Sequence, residues 1–452
     1  MKKKVQYICM IAMFIILGAC KMKTEVKSLY PRSADSFVGD PMPYFDGNEY
    51  KIYYLEDLRN GEVGFHPFSL FTTTDFYHYQ DEGEVIPFVN EEDSPERALG
   101  TGSVIKDKAG KYHAFYTAHN SERLPKELIM HATSKDGKKW MKQPEDTFEG
   151  DTEYENNDFR DPYVFFEEES QSYWMLITTR QNNTGIIAKY TSTDLTSWEN
   201  QGVFFVNDIG NDSNLECPSL VQFKGTWYLA FSDQWDKRVV HYRTADNPNG
   251  PFEKPEHDYV DGAGFYAGRL ETDGQNLYQV GWIPTKDNHD DRFNYNWAGN
   301  LAVHQLIKKD GKLQPKLPEK AYQNLSKEHF PQWELSVGET VIIDSQATLL
   351  EGEFQVNNRT KFILSFGEEN NILFDFNNRK MSYYNTHLED IPNRKPQTEM
   401  SLTTEQTVPF QLIQEEDLVV IYDGEYALSN RIYQSKEKPT KLTLIEGSLE
   451  VK

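Results

Sequence analysis

Cysteine is almost missing from this chain. The 452 residues hold three, Cys9, Cys20 and Cys217, which is too few for the disulfide framework that staples small secreted domains. Basic residues are short as well: 47 Lys and Arg stand against 71 Asp and Glu, for a formal net charge of −24. With no basic stripe to offset that excess, no nucleic-acid partner is expected, because phosphate neutralisation needs clustered cations. Long apolar runs are lacking apart from Ile8 to Leu17, which is too short to span a bilayer comfortably. Metal-ligand spacing is lacking too. The cluster His289-Asp290-Asp291 sits in a hydrophilic stretch without a spaced partner, so no metal site is expected. Aromatic residues, in contrast, make up 13% of the chain, which suits packed sheets and sugar-stacking faces. The length calls for two domains, or one large repeat domain with an appendage.

The first residues are set apart from the fold. Lys2 to Lys4 form a basic start, the short apolar run follows, and Leu17-Gly18-Ala19-Cys20 closes it. This resembles a bacterial lipoprotein lipobox. The resemblance implies a signal peptide over 1–19, lipid on the Cys20 sulfur, and an exported chain anchored on the periplasmic or cell-surface face without a spanning helix. Cys217 is then the only thiol left, and it is expected to be a small buried residue rather than a nucleophile.

An aromatic-aliphatic strand pattern recurs five times, starting at Tyr50, Lys111, Ser172, Thr226 and Asn276, with spacings of 61, 61, 54 and 50 residues. Gly-containing turns precede four of these starts. A polar turn ending in Asp75, Asp136, Asp194 or Asp246 follows four of them. Features that share one period argue for a repeated unit of about four strands, and five such units predict a five-bladed β-propeller over 20–310. In a propeller the first strand of each blade lines the axis. Asp40, Ser103, Asp161, Glu216 and Tyr266 each lie about ten residues before their repeat start, so they are expected to converge.

Residues 311–318 read as a linker. Beyond them, short alternating strands from Thr340 to Ile445 predict a β-sandwich over 319–452, with no catalytic content.

Cleavage of a glycosidic bond needs an acid at the leaving oxygen and a carboxylate facing the developing cation. Glu216, beside Leu215, Cys217 and Pro218, suits a desolvated acid, and Arg160-Asp161 suits an ionised carboxylate that holds sugar hydroxyls. The settings Gly39-Asp40-Pro41, Gly100-Thr101-Gly102-Ser103, Arg160-Asp161-Pro162, Glu216-Cys217-Pro218, Gly264-Phe265-Tyr266-Ala267 and Trp297-Ala298-Gly299-Asn300 together resemble glycoside hydrolase family 32, the β-fructofuranosidases. The resemblance implies a retaining enzyme that takes terminal fructosyl units from fructans or sucrose-like sugars without a cofactor. Asp40 would be the nucleophile, Glu216 the acid and base, and Asp161 the stabiliser of the transition state. Arg160 would orient Asp161, and Ser103, Tyr266 and Trp282 would line the sugar pocket, although a Trp in this setting also suits blade packing.

The chain departs from the family where Gly39 replaces an asparagine, where Phe65-His66-Pro67 stands for Trp-Gly-His, and where Asn300-Leu301-Ala302-Val303-His304 replaces a proline-arginine ending. Two other readings stay open at this point: a related propeller glycosidase acting on another sugar such as an arabinofuranoside, and a glycan-binding lipoprotein without turnover.

Overall fold

The structure, a computed structural model, describes residues 24–452 apart from 59–65, 156, 236, 434 and 436. The expected signal segment, Cys20 and Phe65 lie outside the described residues. Among the described residues, no helix is long and apolar enough to cross a membrane.

The chain is nearly all-β. Residues 37–316 form successive antiparallel runs. The first comprises Phe37–Phe45, Tyr50–Asp57, Phe68–Thr73 and His78–Ile86, with Thr24–Lys27 on its outer edge. Next come Ala98–Lys106 to Trp140–Lys142, Phe159–Glu167 to Glu199–Val206, and the three strands Leu215–Phe223, Thr226–Asp233 and Val240–Ala245. The last run is Tyr266–Thr272, Leu277–Lys286, Tyr295–Lys309 and Lys312–Lys316. A single pairing, Gly299 with Val38, joins this run to the first in one nine-stranded sheet. Among the described residues the five runs thus fall into four sheets and no closed sheet, where a five-bladed propeller was expected. The leading strands pack in succession, each against the next and Tyr266–Thr272 against Phe37–Phe45.

Residues 312–316, read above as linker, extend the last sheet. The Lys-Pro composition that suggests a linker also suits an edge strand, where a missing N–H faces away from the ladder. The recurring aspartates act as turn locks. Asp75, Asp136 and Asp194 each accept backbone N–H groups two and three residues ahead, while the hydroxyl of Thr73, Ser134 or Ser192 closes the other side. At Asp194 these bonds, led by that from Ser197, hold the carboxyl down at about 2.

Residues 327–451 form two further sheets of seven and six strands, faced by a shared apolar core. The short strands Lys327–His329, Trp333–Leu335, Thr398–Ser401 and Leu449–Val451 are too brief to show an alternation in sequence. Phe362 is fully buried between the sheets, with ring centroids 4.5 Å from Phe374 and 5.7 Å from Phe354. Phe362→Ala is expected to cost about 3–5 kcal/mol of stability by denaturant unfolding, because it leaves a cavity where neighbours cannot collapse.

This C-terminal part shares a core with the last run. Phe265, Val280, Ile283 and Leu301 cluster with Leu349, Ile413 and Val420. Arg431 donates through Nε to the Pro284 carbonyl at 2.8 Å, and the Asp261 carboxylate accepts from the Ser429 N–H at 2.9 Å. The strands that carry Trp282 and Trp297 are thus braced from outside.

Candidate active site

The five leading strands share one irregularity. Pairing slips between Gly39 and Met42, Gly100 and Gly102, Arg160 and Tyr163, Glu216 and Ser219, and Tyr266 and Arg269. At three of these bulges the residue before a proline is left-handed: Asp40 has φ 38°, Asp161 φ 59° and Cys217 φ 52°. Proline has no N–H to give the ladder, so the break falls where the sequence places Pro41, Pro162 and Pro218. A bulge carries two consecutive residues toward one face, and both positions feed the same cavity here. This cavity, about 550 Å³ in volume, is lined by Asp40, Asp161, Glu216, Arg160 and Tyr266, among others.

Asp40 is held through both carboxylate oxygens. The Thr101 hydroxyl donates to Oδ2 at 2.9 Å and the Trp282 indole N–H to Oδ1 at 3.1 Å. Burial pushes its carboxyl up and the charge of Glu216 adds to this, while the two hydrogen bonds pull it down. Asp161 accepts the Cys217 N–H on Oδ2 at 2.9 Å, and its own N–H donates to Thr117 Oγ1 at 2.9 Å. Burial also raises this group, against the charges of Arg160 and Arg269.

Glu216 accepts from Arg160 Nη2 on Oε1 at 3.0 Å and lies 2.7 Å from the Tyr266 hydroxyl through Oε2. Its carboxyl is raised, first by burial and then by the charge of Asp161, with Arg160 opposing. Three buried carboxylates in one cavity do not all ionise cheaply, so they share protons as a set. The Tyr266 hydroxyl also lies 3.0 Å from the Asp233 carbonyl. Its single proton serves Glu216 when that group is ionised and turns to Asp233 when Glu216 carries a proton. Tyr266→Phe removes a bond that favours the ionised form. The alkaline limb of the kcat/KM profile is therefore expected to move to higher pH, with kcat down about tenfold, as a pH-rate series would show.

Arg160 behaves differently from expectation. Its guanidinium binds Asp158 at 2.7 Å, Glu127 at 3.3 Å and Glu216 at 3.0 Å, with no ion pair to the adjacent Asp161 carboxylate. The Asp161 carboxylate is positioned instead by the Cys217 N–H, and Arg160 reaches it through its field. Burial disfavours the Arg160 charge, but the surrounding carboxylates outweigh it and keep it protonated. Ser103 stays out of the cavity lining. It lies two residues past the bulge position, and its hydroxyl accepts the Val164 N–H at 2.9 Å, just as Ser219 accepts that of Leu270 at 2.9 Å. Both serines stitch neighbouring runs together. Trp282 is fully buried behind the cavity lining and donates its indole N–H to Asp40 from there.

A model of the glycosyl hydrolases family 32 N-terminal domain matches residues 33–317. The chain belongs to glycoside hydrolase family 32. Among curated family relatives, the levanbiose-producing levanase of Geobacillus stearothermophilus is 25% identical over 205 residues, 42% of this chain and 48% of that protein. The sucrose-6-phosphate hydrolase of Vibrio alginolyticus is 25% identical over 302 residues, 61% of this chain and 60% of that protein. The chain thus spans between about half and three fifths of the length of these curated relatives. Solved structures align over more. Exo-inulinase from Aspergillus awamori superposes with a TM-score of 0.75 at 18% identity, covering 94% of this chain and 97% of that one. Fructan 1-exohydrolase IIa from Cichorium intybus gives 0.72 at 14% identity, covering 93% and 95%.

Several residues of this family 32 site escape sequence reasoning. Arg269, 1% exposed, donates to the Gly102 carbonyl and, at 3.2 Å, to that of Asp161. An arginine inside an otherwise buried strand is the signal that could have found it. Arg238 lines the cavity and lies 4.4 Å from the Tyr266 ring centroid and 5.2 Å from that of Trp282. It comes from an irregular segment where no repeat marks it.

Proposed function

We propose that this chain is an exported, lipid-anchored, retaining glycosidase that releases terminal β-fructofuranosyl units from fructans or sucrose-like sugars. Its catalytic part, over 20–310, is read as a five-bladed propeller whose first and last blades meet at the Gly299–Val38 pairing, followed by a sandwich over 319–452. Cys20 would carry the lipid. The fructoside assignment draws on the levanase and sucrose-6-phosphate hydrolase relatives and on the retaining chemistry general to the family.

One observation carries the mechanistic reading. Three acids from three leading strands enter one cavity, and each is held by different partners. Asp40, fixed by two donors aimed at its carboxylate, suits the nucleophile: one oxygen bonds to the anomeric carbon as the glycosidic C–O bond breaks. Glu216, raised by burial, gives its proton to the departing oxygen. It then takes a proton from the water that cleaves the fructosyl ester and frees Asp40. Asp161 accepts sugar hydroxyls and offsets charge on the oxocarbenium-like centre. No step in this sequence requires a metal or an organic cofactor.

The direct test is incubation of protein lacking residues 1–19 with levan, inulin, sucrose and an arabinofuranoside, following released sugar and the anomer first formed by NMR. Fructose appearing first with the β configuration is expected. Release from the arabinofuranoside alone would overturn the fructoside reading, and α-fructose as the first product would overturn retention.

A further inference from the structure

The position just before the bulge is occupied on the five leading strands by Gly39, Gly100, Arg160, Glu216 and Tyr266. At the last three, a side chain lines the cavity. The two glycines have none, yet the space above each is filled. A Cβ on Gly100 would stand 2.9 Å from the Thr117 Cβ, and one on Gly39 would stand 2.3 Å from Trp297 Cζ2 and 2.5 Å from Cη2. Thr117 and Trp297 both line the cavity, so each takes the place of a side chain its neighbouring strand lacks. The Thr117 hydroxyl is engaged by backbone, donating to the Thr101 carbonyl at 2.9 Å and accepting from Asp161. Trp297 instead presents ring carbon. It arrives from Tyr295–Lys309, packs 4.4 Å from the His66 ring and 6.4 Å from the Trp282 ring, and stays partly exposed.

We propose that Trp297 is the specificity-determining platform of the sugar subsite beside Asp40, and that Gly39 is the residue that admits it. A furanosyl ring has hydroxyls that need acceptors and a carbon face that needs none. With Asp161, Arg160 and Glu216 supplying the polar contacts, the indole covers the carbon face of a terminal fructosyl unit, in the manner of aromatic and C–H packing generally. Trp282, expected to line the sugar pocket, is sealed from the cavity, so the platform role is assigned to Trp297. Gly39 is outside the left-handed region, so the nearest obstacle to a substitution there is the indole and not the backbone. This inference rests on the fructosidase reading above.

The test is a cycle of Gly39→Ala, Trp297→Ala, their combination, and Trp297→Phe, with kcat and KM measured for fructose release from 1-kestose. Trp297→Ala is expected to raise KM about tenfold while kcat stays within about threefold, with Trp297→Phe restoring most of the loss. Gly39→Ala should lose more than Trp297→Ala, because the new methyl drives the indole against His66, and the double variant should recover to the Trp297→Ala level. An unchanged KM in Trp297→Ala, or losses that multiply in the double variant, would overturn the platform.

Quenching of indole fluorescence on rapid mixing with 1-kestose reads the contact whether or not turnover follows. It is expected in the unaltered protein and should be absent in Trp297→Phe. Quenching without any fructose release would overturn the fructosidase reading alone. Equal quenching in Trp297→Phe, or none in the unaltered protein, would overturn the platform.

Discussion

Asp40→Asn is expected to give a folded protein in which fructose release falls by on the order of 10⁴-fold, because a neutral amide does not form the fructosyl ester. The asparagine substitution is informative because it leaves the surroundings intact. Residue 40 sits at φ 38°, a region that asparagine tolerates better than most residues and alanine tolerates poorly. The amide oxygen can accept the Trp282 N–H, and the amide nitrogen can donate to the Thr101 hydroxyl once that hydroxyl rotates. The Trp282 indole donor keeps its acceptor, so thermal unfolding should shift by only a few degrees. Residual activity of a few per cent in a preparation free of deamidation would remove Asp40 from the nucleophile role.

The repeat in the sequence correctly drew Asp40, Asp161, Glu216 and Tyr266 into one cavity, but through an inexact alignment. Counted from the pairing slips, Asp40 and Asp161 occupy the bulge itself, Glu216 and Tyr266 the residue before it, and Ser103 two residues beyond it. Strict alternation would send only one of two neighbours into the cavity. The bulge lets both positions contribute, and no hydrophobic pattern announces a bulge beyond its proline. The same irregularity explains Arg160. Its side chain and that of Asp161 leave adjacent backbone positions, and three carboxylates from elsewhere hold the guanidinium.

Local signals did reach the C-terminal strands, since Lys361–Phe366 and Leu418–Tyr422 fall inside the alternating stretch from Thr340 to Ile445. Contacts with large sequence separation were illegible. Trp297 lies more than 250 residues from Gly39, and only their meeting shows why this position is glycine.

Glu216→Gln should separate the acid role from simple charge loss. Removing the proton donor is expected to lower kcat on a fructan by about 10²–10⁴-fold. The loss should be smaller in the first step with an aryl fructoside, whose leaving group departs without help. If the same residue activates water in the second step, as proposed, the aryl substrate should then give one equivalent of phenol in a burst followed by slow turnover, and azide should restore the second step.

The pH profile supplies an independent sign. With Asp40 as nucleophile and Glu216 as acid, the acid limb is expected to follow ionisation of Asp40 and the alkaline limb loss of the Glu216 proton, which burial displaces upward. Glutamine abolishes the alkaline limb. The acid limb should stay near its place, because in the unaltered enzyme Glu216 still carries its proton at the pH where Asp40 ionises. An intact alkaline limb, or equal losses with good and poor leaving groups, would place the acid on another side chain of the cavity. Arg160 and Tyr266 would then be holding Glu216 as a structural carboxylate.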